Sequence, residues 1–185
     1  MSQQVAVIMG AGHGLSAALA RRLARDDFKI ALIARDVGKL ADLAARTGAI
    51  TCSADTSDPA QVEAAFQQVD GALGSPDLVV FNAALRYRGP IDELDPAAVM
   101  AAYQVGAFGG FLTAQAAARR MLKRGSGSLF FTGATASLKG MPESTPFAMA
   151  KFALRGLAQS LARELGPKGI HVAHPVIDGA IDTEF

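Results

Sequence analysis

Val5-Ala6-Val7-Ile8-Met9-Gly10-Ala11-Gly12-His13-Gly14-Leu15-Ser16 is the stretch on which the reading of this chain turns. Five apolar residues run without polar alternation into a turn holding three glycines, and an alanine- and leucine-rich segment follows. An unbroken apolar run of this kind is what a strand covered on both faces of a parallel sheet looks like. The turn after it has what a dinucleotide's pyrophosphate requires: a tight bend, backbone free of Cβ bulk, and unpaired N–H groups at a helix start. Gly10, Gly12 and Gly14 supply the first two, and the helix beginning at Leu15 supplies the third. The common G-x-G-x-x-G spacing does not fit, because Leu15 occupies its last glycine position.

The same organisation continues along the chain. Apolar runs at Ile30–Ala34, Ile50–Ser53, Leu78–Phe81, Ser128–Thr132 and His171–Ile177 alternate with helical patterns. Leu15, Leu19 and Leu23 mark the first helix, and Leu154, Leu157, Leu161 and Leu165 mark the last. Asp58-Pro59 and Asp95-Pro96 read as helix starts, each a capping carboxylate followed by proline at the first helical position. Gly166-Pro167 reads as a helix stop. Such alternation predicts an α/β fold with right-handed crossovers, a doubly wound parallel sheet between two helical layers. The length of 185 residues suits one domain, residues 1–185. Pro96–Arg124 is long for a single helix, and Gly106, Gly109 and Gly110 weaken it by about 1 kcal/mol each relative to alanine. Small residues there would let another helix approach, as at a subunit interface.

Bulk properties exclude several functions. Half of the residues are hydrophobic, yet no apolar run approaches the ~20 residues of a membrane span. A net charge of +1 gives no reason to expect nucleic acid or an anionic membrane as partner. Cys52 is the only cysteine, which rules out an intrachain disulfide framework and suits a reducing cytoplasm. It lies in a strand pattern and reads as a small buried side chain. No Cys/His cluster suggests a metal site.

In order and spacing, the chain resembles the short-chain dehydrogenase/reductase family along nearly its whole length. Gly10 and Gly14 match the first two glycines of that family's G-x-x-x-G-x-G turn, and Ser16 replaces the third. Asp55 and Thr56, just past the third strand, resemble its adenine-contacting segment. Asn82-Ala83-Ala84 resembles its Asn-Ala-Gly. Ala162-Arg163-Glu164-Leu165 and Gly169-Ile170-His171-Val172 read like the family after its active-site lysine. Asp178-Gly179 stands where Pro-Gly is usual, and Thr183 matches a threonine that contacts the nicotinamide. The resemblance implies a Rossmann fold, three-layer αβα, with strand order 3-2-1-4-5-6. The usual seventh strand and the substrate-covering lid are expected to be absent from this chain. It also implies that Gly10, Gly12, His13, Gly14, Leu15, Arg35, Asp55, Thr56, Asn82, Ala83, Lys151 and Thr183 hold the cofactor.

The choice of cofactor is read from the end of the second strand, Ile33-Ala34-Arg35. An NAD site usually places a carboxylate there for the ribose 2′-hydroxyl. Here a guanidinium follows, able to pair bidentately with a 2′-phosphate. His13 resembles the second basic position of NADP-preferring relatives, so NADP(H) is favoured over NAD(H). Asp36 either accepts from a ribose hydroxyl or caps the helix that follows.

At the chemical end the resemblance breaks. The family uses Tyr-x-x-x-Lys on one helix face, with a serine that polarises the carbonyl and an asparagine that supports a proton relay. Here Lys151 matches the lysine, Phe147 takes the tyrosine position, Ala134 the serine position and Gly106 the asparagine position. Thr135 and Ser137 lie nearest the vacant serine position. Thr132, Ser144, Thr145, Tyr87 and Tyr103 are more remote substitutes. Three readings follow: an NADP(H)-dependent oxidoreductase of small carbonyl or alcohol substrates with an altered proton donor, a cofactor-binding regulatory or assembly protein without catalysis, or a dinucleotide-dependent enzyme of another reaction type. Apolar faces on 96–124 and 147–165 suit a homodimer or homotetramer.

Overall fold

The computed structural model describes residues 3–179. Thr183, expected at the nicotinamide, lies outside the described residues. Strands β1 (Val5–Met9), β2 (Lys29–Ala34), β3 (Ile50–Ser53), β4 (Leu78–Phe81) and β5 (Gly127–Phe131) are followed by a two-residue β6 (Gly133–Ala134), then β7 (Ile170–Ala173) and a two-residue β8 (Val176–Ile177). The main sheet has six strands in the order β3-β2-β1-β4-β5-β7, every pairing parallel. With β7 as its sixth strand, this is the predicted 3-2-1-4-5-6 order.

Period-two alternation sends neighbouring residues of each strand to opposite cores. Ala6, Ile8, Ile30 and Leu32 face the layer that holds Ala20 and Leu23 of α1 (Leu15–Arg25), with Leu43 of α2 (Ala41–Thr47) packed beside them. Val5, Val7, Met9 and Ile33 face α3 (Pro59–Ala72), α5 (Gly109–Arg124) and α6 (Thr145–Leu165) through Phe66, Met121 and Leu154. The sheet is thus covered on both sides, which is why its strands carry so little polar alternation. Asp58 caps α3, accepting from Ala60 and Gln61 N–H at 2.8 and 3.1 Å, and Asp95 accepts from Ala97 N–H at 3.0 Å. In α1 the buried stripe is Ser16, Ala17, Ala20 and Leu23, with Leu19 partly buried against the same core.

Two further expectations are corrected. The run His171–Ile177 is not one strand. Pro175 has no N–H to give to a ladder, so the chain leaves the main sheet after Ala173, and Val176–Ile177 pairs with Gly133–Ala134 instead. Pro96–Arg124 is one continuous helix: α4 (Pro96–Tyr103), a π-helical turn at Gln104–Phe108, then α5. Its glycines serve this chain's own packing. A Cβ at Gly106 would lie 3.0 Å from Ala150 Cβ, at Gly109 2.9 Å from Thr56 Oγ1, and at Gly110 2.4 Å from Leu154 Cδ1. The helix is long and apolar enough, by length and composition alone, to cross a membrane. Its residues Leu112, Ala116, Ala117 and Met121 are buried against the sheet, so it is a core helix.

Candidate cofactor and active site

The strand order reverses between β1 and β4, and the crevice beyond their C-terminal ends is where open α/β sheets bind ligands. The glycine turn leaves β1 at that point. Gly10 has φ of +81°, and a Cβ there would lie 2.4 Å from Ala83 N, so both backbone conformation and the approach of β4 demand glycine. Gly10 and Ala11 N–H both donate to Ile33 C=O, at 2.9 and 3.0 Å, which pins the turn to β2. Gly12 faces open space, so no side chain stands between its backbone and a ligand. Gly14 precedes α1 with no side-chain cap, and first-turn N–H groups are left for an anion. Leu15 opens α1 and is not among the residues that line the cleft.

Ser16, in the third-glycine position, is fully buried. Its Oγ donates to Gly10 C=O at 3.2 Å and accepts from Asn82 Nδ2 at 2.8 Å. Asn82 N–H in turn donates to Met9 C=O at 2.8 Å. The serine therefore does more than fit: it couples the turn to the end of β4, a role its small size alone did not reveal.

A cleft of about 300 Å³ opens here, lined on the turn side by Gly10, Gly12 and His13 and on the β4 side by Asn82 and Ala83. Its far end carries Arg35, Asp36 and Lys39. Asp36 acts as a cap: it accepts from Gly38 N–H at 3.1 Å and pairs with Lys39 at 3.3 Å. Arg35 makes no ion pair among the described residues. Lys39 was not anticipated, although its place four residues after Arg35 is a readable signal. Thr56 is buried and lines the cleft, whereas Asp55 does not. The Asp55 carboxylate accepts from Ser57 Oγ and N–H at 2.6 and 2.9 Å. These bonds, the hydroxyl first, hold its pKa below the usual carboxylate range.

Lys151 and Phe147 lie on α6, one turn apart and so on one face. Lys151 is 5% exposed and donates to Thr132 C=O at 2.7 Å, with Nζ 5.6 Å from the Phe147 ring centroid. Burial pulls its pKa down from 10.5 to about 8. Arg86, from the loop after β4, also stands over the Phe147 ring, at 5.5 Å. Nothing in the sequence pattern had linked Arg86 to position 147. His174 packs against Gly133, and its pKa is lowered by burial first, then by Lys151 and Arg155.

The hydroxyls near the vacant serine position have other partners. Ser137 Oγ accepts from Ala134 N–H at 3.1 Å, and Ser144 Oγ donates to Pro142 C=O at 3.3 Å. Thr135 Oγ1 donates to the Asp178 carboxylate, the one such pairing with a titratable side chain among these candidates. Tyr87 accepts from Asp95 N–H at 3.1 Å, and Tyr103 lies exposed on its helix. Gly106 lies inside the π-helical turn against Ala150, and a Cβ there would crowd the alanine methyl at 3.0 Å. Cys52 is buried in β3 as expected, and burial raises its pKa. No group of three or more metal-ligating side chains occurs among the described residues.

Comparison with known proteins agrees with this geometry. The short chain dehydrogenase family model matches residues 4–185. Human 17-beta-hydroxysteroid dehydrogenase type 1 is 35% identical over all of this chain, which spans 59% of that protein's length. L-2,3-butanediol dehydrogenase of Corynebacterium glutamicum is 30% identical over 97% of this chain and 72% of its own length. Among solved structures, a short-chain dehydrogenase from Rhodopseudomonas palustris superposes with a TM-score of 0.89 at 36% identity, covering 95% of this chain and 85% of its own. A gluconate 5-dehydrogenase from Burkholderia cenocepacia, in complex with NADP and tartrate, gives a TM-score of 0.89 at 31% identity, covering 96% and 72%. A turn that only glycine can make, the reversal of strand order beside it and this match across the chain lead to one conclusion: the protein belongs to the short-chain dehydrogenase family.

Proposed function

We propose that this chain is a single dinucleotide-binding domain of an NADP(H)-dependent oxidoreductase that acts on a small carbonyl or alcohol substrate. The observation that carries this reading is the cleft itself. A crowded Gly10, an open Gly12 and an uncapped α1 meet at one end, and Arg35 with Lys39 stands at the other. A pyrophosphate fits the first end and a 2′-phosphate the second. In this reading Gly10, Gly12, Gly14 and Leu15 hold the pyrophosphate through backbone. His13, Arg35 and Lys39 hold the 2′-phosphate, while Thr56, Asn82 and Ala83 wall the cleft. Asp55, turned to Ser57 and off the cleft lining, supports the loop that carries Thr56, and Thr183 lies outside the described residues.

The bound cofactor supplies the hydride. The chain must orient the substrate and deliver a proton to its oxygen. Phe147 has no proton to give, and Ala134 no hydroxyl. Lys151 is the one retained member of the family's catalytic set, and its ammonium supplies charge beside the reacting oxygen. With a pKa near 8, Nζ can also donate at neutral pH. Thr135, tied to Asp178, and Ser137 are the hydroxyls closest in sequence to the vacant position.

One observation favours a second reading, a cofactor-binding regulatory or assembly protein without turnover. Ala150 crowds a Cβ at Gly106 to 3.0 Å, so the relay position is tightened by packing as well as lost in sequence. Titration of NADPH by fluorescence, followed by NADPH consumption across a carbonyl panel, separates the two. Wild-type turnover, raised in Phe147→Tyr/Ala134→Ser, supports the oxidoreductase. Tight NADPH binding without wild-type turnover on any substrate supports the second reading. Absence of nicotinamide binding refutes both.

The reading extends to surroundings. Phe108 and Phe111 on the 96–124 helix, and Met149 and Phe152 on α6, are exposed in the single chain, which supports pairing of copies through these helices as a homodimer or homotetramer. Sedimentation tests it. A lone buried thiol suits the cytoplasm.

A further inference from the structure

We infer that the substrate carries a carboxylate, and that Arg86 binds it. This rests on the oxidoreductase reading above and specifies its substrate class. Arg86 belongs to the loop after β4, and two bonds fix that loop. Asp95 N–H donates to the Tyr87 hydroxyl at 3.1 Å, and Gly89 N–H donates to Glu143 C=O at 3.0 Å, just before α6. Just before these anchors, the exposed Arg86 places its guanidinium over the Phe147 ring, 5.5 Å from its centroid. A guanidinium held against an aromatic face keeps its N–H groups directed outward and loses little freedom when it binds. Among the described residues Arg86 donates no hydrogen bond and forms no ion pair. Its five donors are therefore placed but unused.

Position 147 is where the family's proton donor stands, so the reacting oxygen comes to this ring. Lys151 lies over the same ring at 5.6 Å. Glu143, whose C=O meets this loop, makes no ion pair with Arg86 among the described residues. Two cations thus face one small apolar surface. A neutral ketone leaves the guanidinium fork idle, whereas a keto acid uses both, its oxo group toward Lys151 and its carboxylate bidentate on Arg86.

The test is calorimetric titration of the full chain, saturated with NADP⁺, with acetoacetate and levulinate and with their methyl esters. The oxidised cofactor prevents turnover, so binding is read directly. The acids are expected to bind about tenfold or more tightly than the esters. Arg86→Gln is expected to reduce that preference to within about twofold, while Arg88→Gln, an equal charge change on the neighbouring exposed arginine, leaves it intact. Equal binding of acid and ester, no binding of either, or a preference that survives Arg86→Gln overturns the inference. Parallel NADPH titration keeps the two claims apart. If NADPH does not bind, the oxidoreductase reading falls as well. If it binds normally while the acid preference is missing, only the Arg86 assignment falls.

Discussion

Replacing Lys151 with methionine should change stability only modestly at pH 7 and remove a distinctive pH dependence. The ammonium is 5% exposed, and burial lowers its pKa from 10.5 to about 8. At 1.36 kcal/mol for each tenfold change in proton affinity, the charged form carries a penalty of about 3 kcal/mol relative to a solvated lysine. Methionine removes that penalty. It also forfeits the hydrogen bond to Thr132 C=O at 2.7 Å and the contact with the Phe147 ring. A bond from a charged donor is worth about 1.5–3 kcal/mol and the ring contact about 0.5–2 kcal/mol. These opposed contributions leave a net change at pH 7 between a gain of about 1 kcal/mol and a loss of about 2 kcal/mol. The pH dependence is sharper. Unfolded, the lysine holds its proton to about pH 10.5, whereas folded it releases it near pH 8. Between those values the unfolded chain binds more protons, so wild-type stability rises with pH. The penalty is fully present below pH 8 and gone above about 10.5. Groups shared by both proteins cancel in the difference. Urea unfolding of wild type and Lys151→Met at pH 7, 8, 9 and 10, without cofactor, should therefore show wild type gaining about 2–3 kcal/mol on the variant across that range. A constant difference would mean that the ammonium is solvated, and the role assigned to it at neutral pH would lose its physical basis.

Gly10→Ala meets both a φ of +81° and a backbone nitrogen 2.4 Å away, so it should cost more than about 3 kcal/mol and show as a lower thermal midpoint. Gly12→Ala projects into open space, and should cost under about 1 kcal/mol in the same melt while weakening NADPH in a fluorescence titration. Arg35→Gln and Lys39→Gln should each weaken NADPH by about tenfold and leave NADH within about twofold, a gap that narrows at high salt; equal losses for both cofactors would move the 2′-phosphate elsewhere. Ser16→Ala breaks two hydrogen bonds and strands the Asn82 amide, at about 1–3 kcal/mol by urea unfolding.

What the sequence disclosed was whatever local pattern controls. Runs such as Val5–Met9 and Leu78–Phe81 are strands because both faces are covered, and apolarity is a property each residue carries with it. Asp58-Pro59 and Asp95-Pro96 began helices because a cap needs only its own neighbours. Contacts between distant segments were hidden. The bond from Asn82 to Ser16 spans 66 positions, and the Phe147 ring meets a guanidinium from a loop far upstream. The glycines of the 96–124 helix suggested an intermolecular contact because small residues announce closeness without naming the neighbour. Pro175 was readable as a strand break, but Val172-Ala173 before it and Val176-Ile177 after it masked the interruption.

The tight seam between Gly106 and Ala150 imposes an order on any route back to the family's full catalytic set. An asparagine at 106 would bring its Cβ to 3.0 Å from the alanine methyl, so that substitution made first passes through a crowded protein. Ala150 must yield by a few tenths of an ångström or be trimmed to glycine, and residue 150 adjoins Lys151 on the same helical turn. Re-equipping this site is therefore a question of sequence in time, because the helix that carries Lys151 has to give before an asparagine can be seated.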